Sequence, residues 1–253
     1  MPHLFRFVFP VLLAWAGGAW ADNLPQTIVK IKPSIVGVGT YQQTRRPPAS
    51  FRGTGFVVAD GRHVVTNAHV LPALLDHEKK EALGVFVGQG ETAQFRPART
   101  VARDDERDLA LLEIGGEALP AVSVGDSSAV REGQQVSFTG FPIGTVLGLY
   151  PVTHRATVSA ITPIVIPARA SSQLDVKMIK RIRAPLSVFQ LDGTAYPGNS
   201  GSPLFDPQTG VVFGIINMVF IKGTKENALS EPSGISYAIP ANHIEELLKR
   251  AGL

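Results

Sequence analysis

Hydrophobic positions in this chain fall in short β-rich runs set between glycine, proline and small polar residues. Runs at 35–40, 53–58, 62–66, 84–87, 109–114, 135–139, 153–161, 186–191, 211–220 and 234–239 each predict a strand. The sharpest local signal is Ala59-Asp60-Gly61, because an Asp-Gly pair between two such runs favours a tight hairpin. A short helix is predicted near the start from Leu24, Ile28 and Ile31, with Pro33 stopping it. The stronger helical pattern closes the chain over 242–251. There Asn242 can cap, Glu245 follows three residues on, Ile244, Leu247, Leu248 and Ala251 share a face, and Gly252 is a natural stop. Many short strands with Gly and Pro turns make this an all-β chain, a sandwich or a barrel, and argue against a βαβ sheet.

The first residues are set apart from the fold. Met1 and Arg6 bound a basic start, an apolar run covers 7–16, and Ala19-Trp20-Ala21 supplies a small-x-small cleavage pattern. A signal peptide is therefore expected over 1–21, with a mature domain over 22–253. The apolar run is short and broken by Pro10 and Gly17-Gly18, whereas a membrane span needs about 20 residues, so membrane contact is not expected after cleavage. Export together with the absence of cysteine suits a periplasmic or secreted protein that stands without disulfides.

Charge and metal chemistry narrow the function. The formal net charge of +3 over 253 residues is too small to argue for nucleic acid. His63, His77, His154 and His243 lack metal-ligand spacing, so no metal and no cofactor is expected. Residues 162–185 mix Pro163, Pro167 and Pro185 with Lys177, Lys180, Arg181 and Arg183 and read as a long loop whose basic face is solvated.

Three residues carry a hydrolytic pattern. Ser200 sits in Gly198-Asn199-Ser200-Gly201-Ser202-Pro203, where the glycines free the backbone for an unusual turn and let a substrate carbonyl approach. The backbone N–H groups around it, at Gly198, Asn199 and Ser200, are candidates for an oxyanion hole. His69 follows a strand in Val64-Val65-Thr66-Asn67-Ala68-His69, and Asp108 opens the buried run Leu109-Ala110-Leu111-Leu112. Each residue alone has an ordinary reading as a turn, cap or structural histidine. In the order His, Asp, Ser, each in a matching local setting, they point to a base, its orienting carboxylate and a nucleophile.

With these blocks in view, the chain resembles the protease domain of the HtrA/Deg family. Gly53-Thr54-Gly55-Phe56-Val57-Val58, Thr66-Asn67-Ala68-His69-Val70, Asp108-Leu109-Ala110-Leu111-Leu112, Gly198-Asn199-Ser200-Gly201 and Ile235-Ser236-Tyr237-Ala238-Ile239-Pro240 carry the resemblance. It implies the chymotrypsin/trypsin-like fold: two antiparallel β-barrels, the first over about 34–120 and the second over about 121–240, then the C-terminal helix. It also implies a serine endopeptidase acting on polypeptide substrates in envelope protein quality control or processing, and a homotrimer contact through the first helix. Family members usually add PDZ modules, and the few residues after Pro240 leave no expectation of one here. Gly-Asn-Ser-Gly-Ser-Pro also resembles the bacterial glutamyl endopeptidases, but Ile216 stands where those enzymes place a histidine. By the same motif alignment Thr194 lies near the base of the specificity pocket, with Ile216, Asn217 and Met218 on its wall. That uncharged lining favours a small or medium apolar side chain. The alternative on the same fold is a catalytically silent binding or chaperone-like module.

Overall fold

The computed structural model describes residues 23–144, 148–164, 186–217 and 234–253. The signal-peptide expectation over 1–21, Met218 and residues 165–185 lie outside the described residues. The described strands close into two six-stranded antiparallel barrels. The first holds β1 (Ile35–Tyr41), β2 (Ala49–Val58), β3 (His63–Asn67), β4 (Ala82–Val87), β5 (Gln94–Asp104) and β6 (Leu109–Ile114), in the order β1-β2-β3-β6-β5-β4. The second holds β7 (Gln135–Gly140), β8 (Val152–Ile164), β9 (Leu186–Asp192), β10 (Pro203–Phe205), β11 (Val212–Asn217) and β12 (Ile235–Pro240), in the order β10-β11-β12-β9-β8-β7.

Each barrel has its own filling, and a further cluster joins them. Val36, Val38, Val57, Val64, Val85 and Leu112 pack inside the first barrel. Phe138, Val158, Leu191, Leu204, Ile216 and Ala238 fill the second. Between the two lies a cluster holding Phe56, Leu111, Phe141, Phe205 and Ile215, and both helices seal it. Helix α1 (Leu24–Ile31) contributes Leu24 and Ile31, while α2 (Asn242–Arg250) contributes Ile244 and Leu247. Burying each such side chain stabilises by about 1.5–3 kcal/mol, so the helices hold the barrels together through apolar area.

The hairpin between β2 and β3 forms at the expected residues. Ala59 and Gly61 both have positive φ, and the Asp60 carboxylate accepts from the Arg62 N–H at 3.0 Å and meets His63 Nδ1 at 2.7 Å. Four features differ from the sequence reading. Strand β5 was not anticipated, because its burial is almost all on the solvent side and only Asp104 is buried. Strand β10 follows Ser202 directly, where no run had predicted a strand. Residues Thr162, Pro163 and Ile164 belong to β8 and pair with β9. Asn242 does not cap α2: its amide bonds Ser127 N and Asp126 Oδ1, while the Ser127 hydroxyl accepts the Asn242 N–H at 3.0 Å. A side chain from the chain between the barrels thus takes up a helix N-terminal donor.

Candidate active site

Asp108 opens β6 with a left-handed backbone, φ 55°. Such a conformation costs an L-residue energy, and Asp is among the types that tolerate it. The preceding turn supports it. Asp104 Oδ1 accepts from the Glu106 and Arg107 N–H groups at 3.1 and 3.0 Å, and its Oδ2 accepts from Arg107 and from Arg250 of α2 at 3.0 and 2.6 Å. Burial raises the Asp104 pKa, but the Arg107 N–H and the two guanidinium groups outweigh it and hold the carboxyl below its ordinary value.

From that turn, Asp108 holds His69 at several points. Its carbonyl accepts from Ala68 N at 3.0 Å and Asn67 Nδ2 at 3.1 Å. Its Oδ1 accepts from the His69 backbone N–H at 2.8 Å, and its Oδ2 lies 2.5 Å from His69 Nδ1. A carboxylate can only accept, so Nδ1 is the donor of this pair, the tautomer that leaves Nε2 as the ring's acceptor. The second barrel completes this grip: Asn217, at the end of β11, donates Nδ2 to Asp108 Oδ2 at 2.8 Å.

Ser200 comes from the turn before β10. Asn199 N donates to Tyr196 O and Ser202 N to Asn199 O, both at 2.9 Å, and Gly198 and Gly201 take φ of 103° and 90°. Only glycine enters these conformations without strain, and at Gly201 an added Cβ would also collide with the Thr54 carbonyl. Thr54 of β2 ties the turn to the first barrel. Its N–H donates to Ser200 O at 2.8 Å, its hydroxyl donates to Gly198 O at 2.7 Å, and that hydroxyl accepts from Phe141 N at 3.1 Å. On the other side, Gly201 N donates to Ile216 O at 3.0 Å, one residue from Asn217. Ser200 is therefore moored between β2 of the first barrel and β11, the strand whose Asn217 reaches Asp108. No hydrogen bond joins its hydroxyl to His69 among the described residues.

The predicted oxyanion and pocket residues divide. Asn199 N–H is taken up by Tyr196 O and its side chain is wholly buried, so its amide proton is not free for an oxyanion. The N–H groups of Gly198 and Ser200 have no acceptor among the described residues. Ile216 is wholly buried in the second-barrel core, and Asn217 turns its amide to Asp108, so neither side chain presents itself as a pocket wall. Thr194 is half-buried, beside Gly193, whose carbonyl accepts from Ser236 Oγ at 2.7 Å. The part of Asn217 was missed in the sequence. Its signal was an amide ending the buried run Ile215-Ile216, since a buried amide in an apolar strand needs a partner.

Two closed antiparallel barrels, with a His–Asp pair from one and a serine turn from the other at their junction, define the chymotrypsin-type architecture of serine peptidases. The chain belongs to the trypsin-like peptidase domain family, whose model matches residues 53–215. It is similar to a "Probable periplasmic serine endoprotease DegP-like" of Halomonas elongata, 28% identical over 240 residues, covering 95% of this chain and 39% of that protein. It is likewise similar to "Serine protease Do-like HtrB" of Bacillus subtilis, 28% identical, covering 90% of this chain and 47% of the relative. The chain thus spans less than half the length of these curated relatives. Among solved structures, the HtrA-type protease AlgW with decapeptide has the same fold, with a TM-score of 0.65 at 22% identity, covering 90% of this chain and 67% of that one.

Proposed function

We propose that this chain is a serine endopeptidase with Ser200 as nucleophile, His69 as base and Asp108 as the carboxylate that orients the base. The observation that carries the reading is the double hold of Asp108 on His69, through the backbone N–H and Nδ1. That hold fixes the tautomer in which Nε2 can accept a proton. As Ser200 Oγ attacks the scissile carbonyl, its proton passes to His69 Nε2. The carbonyl oxygen becomes an oxyanion, for which the N–H groups of Gly198 and Ser200, without an acceptor among the described residues, are the donors at hand. His69 then gives the proton to the leaving amine, the C–N bond breaks, and an acyl-enzyme remains. Water, deprotonated by the same imidazole, hydrolyses that ester and restores the serine.

The substrates proposed are polypeptides, in an exported compartment, as the periplasmic naming of its relatives supports. The role is envelope quality control or processing. Half-buried, uncharged Thr194 fits a small or medium apolar side chain on the acyl side of the cleaved bond. The test is Ser200→Ala with a fluorophosphonate probe and a casein assay. Labelling should vanish and turnover should fall by roughly four or more orders of magnitude, the scale for losing a triad member. Unlabelled, inactive wild type would overturn the reading in favour of a silent module, and casein cleavage undiminished in the variant would remove Ser200 as the nucleophile.

A further inference from the structure

The first barrel places one unneutralised cation beside this site. In the β1–β2 ladder Val38 pairs with Gly53 and Gly39 with Phe51, so Arg52 is an extra residue without a partner, a β-bulge. Bulges next to active sites re-aim a side chain. Here Arg52 turns its Nε to the carbonyl of Val70, the residue after His69, at 2.7 Å. Its neighbours touch the nucleophile turn: a Cβ on Gly53 would stand 3.0 Å from Ser200 O, and one on Gly198 would stand 3.1 Å from the Phe51 ring. Arg52 is exposed, and its two Nη groups find no carboxylate among the described residues. Elsewhere in the first barrel Arg45 pairs with Glu81, Lys79 with Asp76, Arg99 with Glu113 and Arg103 with Asp105, while Arg46, Arg62, Lys80 and Arg96, like Arg52, meet no carboxylate among the described residues; what sets Arg52 apart is its bond to the residue after His69.

We propose that Arg52 is a specificity-determining residue that favours peptides carrying an acidic side chain on the leaving-group side of the scissile bond. The inference rests on the peptidase reading above. The leaving amine must receive its proton from His69, so the chain that departs begins beside the imidazole. Arg52, anchored on the carbonyl next to His69 and flanked by residues that touch Gly198 and Ser200, borders that exit. With Nε held by the backbone, the fork of Nη donors faces outward in the planar arrangement that suits a carboxylate. An exposed pair of this kind shifts kcat/KM by about two- to fivefold and is weakened by salt.

The test uses internally quenched peptides with amidated ends, identical except for Asp, Gln or Lys at the second residue after the cleaved bond. For wild type, kcat/KM should run Asp over Gln over Lys, with an Asp-to-Lys ratio of about two- to fivefold or more that shrinks at high salt. Arg52→Lys should keep the order, Arg52→Gln should flatten it, and Arg52→Glu should reverse it. Each variant's ratio is internal, so a general loss of activity does not mask it. Should Arg52→Gln be too inactive to read, the salt dependence of the wild-type ratio decides. An equal ratio in wild type and all variants, or a wild-type ratio indifferent to salt, overturns the role of Arg52 while leaving the peptidase intact. Absence of both cleavage and fluorophosphonate labelling in wild type instead removes the peptidase reading, and this inference with it.

Discussion

Replacing Asn217 by alanine separates a pocket residue from a positioning residue. Asp108 Oδ2 receives only two donors in the described structure, His69 Nδ1 at 2.5 Å and Asn217 Nδ2 at 2.8 Å. Asn217 is 0% exposed and Asp108 7%, so water has poor access to replace the lost amide. A hydrogen bond to a charged group contributes about 1.5–3 kcal/mol. For a chain of this size each kcal/mol moves Tm by about 2–4 °C, which gives a fall of about 3–12 °C in Asn217→Ala. If the same loss is felt when the imidazolium forms, kcat drops by about ten- to a hundredfold. KM and the cleavage-site profile should barely move, because the amide faces Asp108 and not the substrate. Asn217→Asp should be worse than alanine at neutral pH, since it sets a second carboxylate against the first. Calorimetry and steady-state kinetics on a fluorogenic peptide measure both quantities. A normal kcat with an altered residue preference would return Asn217 to the pocket wall and refute the argument.

Crowding and burial give further expectations. Gly201 and Gly133 both have positive φ, but only Gly201 faces a wall, with Thr66 Oγ1 2.7 Å from an added Cβ and open space at Gly133. Gly133→Ala should therefore cost about 1–2 kcal/mol from backbone strain alone, and Gly201→Ala about 1–3 kcal/mol more. Equal urea midpoints for the two variants would contradict this. Burial lowers the pKa of His154, whose ring stacks on Phe138 at 4.8 Å. The unfolded chain takes up a proton as pH falls through about 6.5, while the folded chain resists it until lower pH, so stability declines across that window. His154→Leu should flatten the slope of Tm against pH between about 7.5 and 5.5. An unchanged slope would show that another group sets it; half-buried His243 is shifted in the same direction and contributes what remains.

What could be read from the sequence follows what each residue has to do locally. Strands β3 and β6 are buried along nearly their whole length, so apolar runs announce them. The run Gln94–Asp104 carries Arg96, Pro97, Arg99 and Arg103 on a mostly solvent-facing strand, and only its ladders with β4 and β6 define it. Residues of the proposed site were picked out by type and order, as with the glycines that flank Ser200. Their partners were not, because the reach of Asn217 to Asp108 and of Asn242 to Ser127 depends on how distant segments dock. Arg52 lies between these cases: its charge is plain in the sequence, but its aim comes from a bulge that only pairing with β1 reveals.

Thr54 bears on the order in which the proposed site is assembled. Its amide and hydroxyl moor the serine turn to the earlier barrel, and Asn217 gives the aspartate its cross-barrel bond. A ribosome delivers His69, Asp108 and the mooring Thr54 well before Ser200, and Ser200 before Ile216 and Asn217, which bond Gly201 and Asp108 from the second barrel. A copy cut short before residue 200 therefore holds the imidazole and carboxylate of the proposed site with no serine for them to act on.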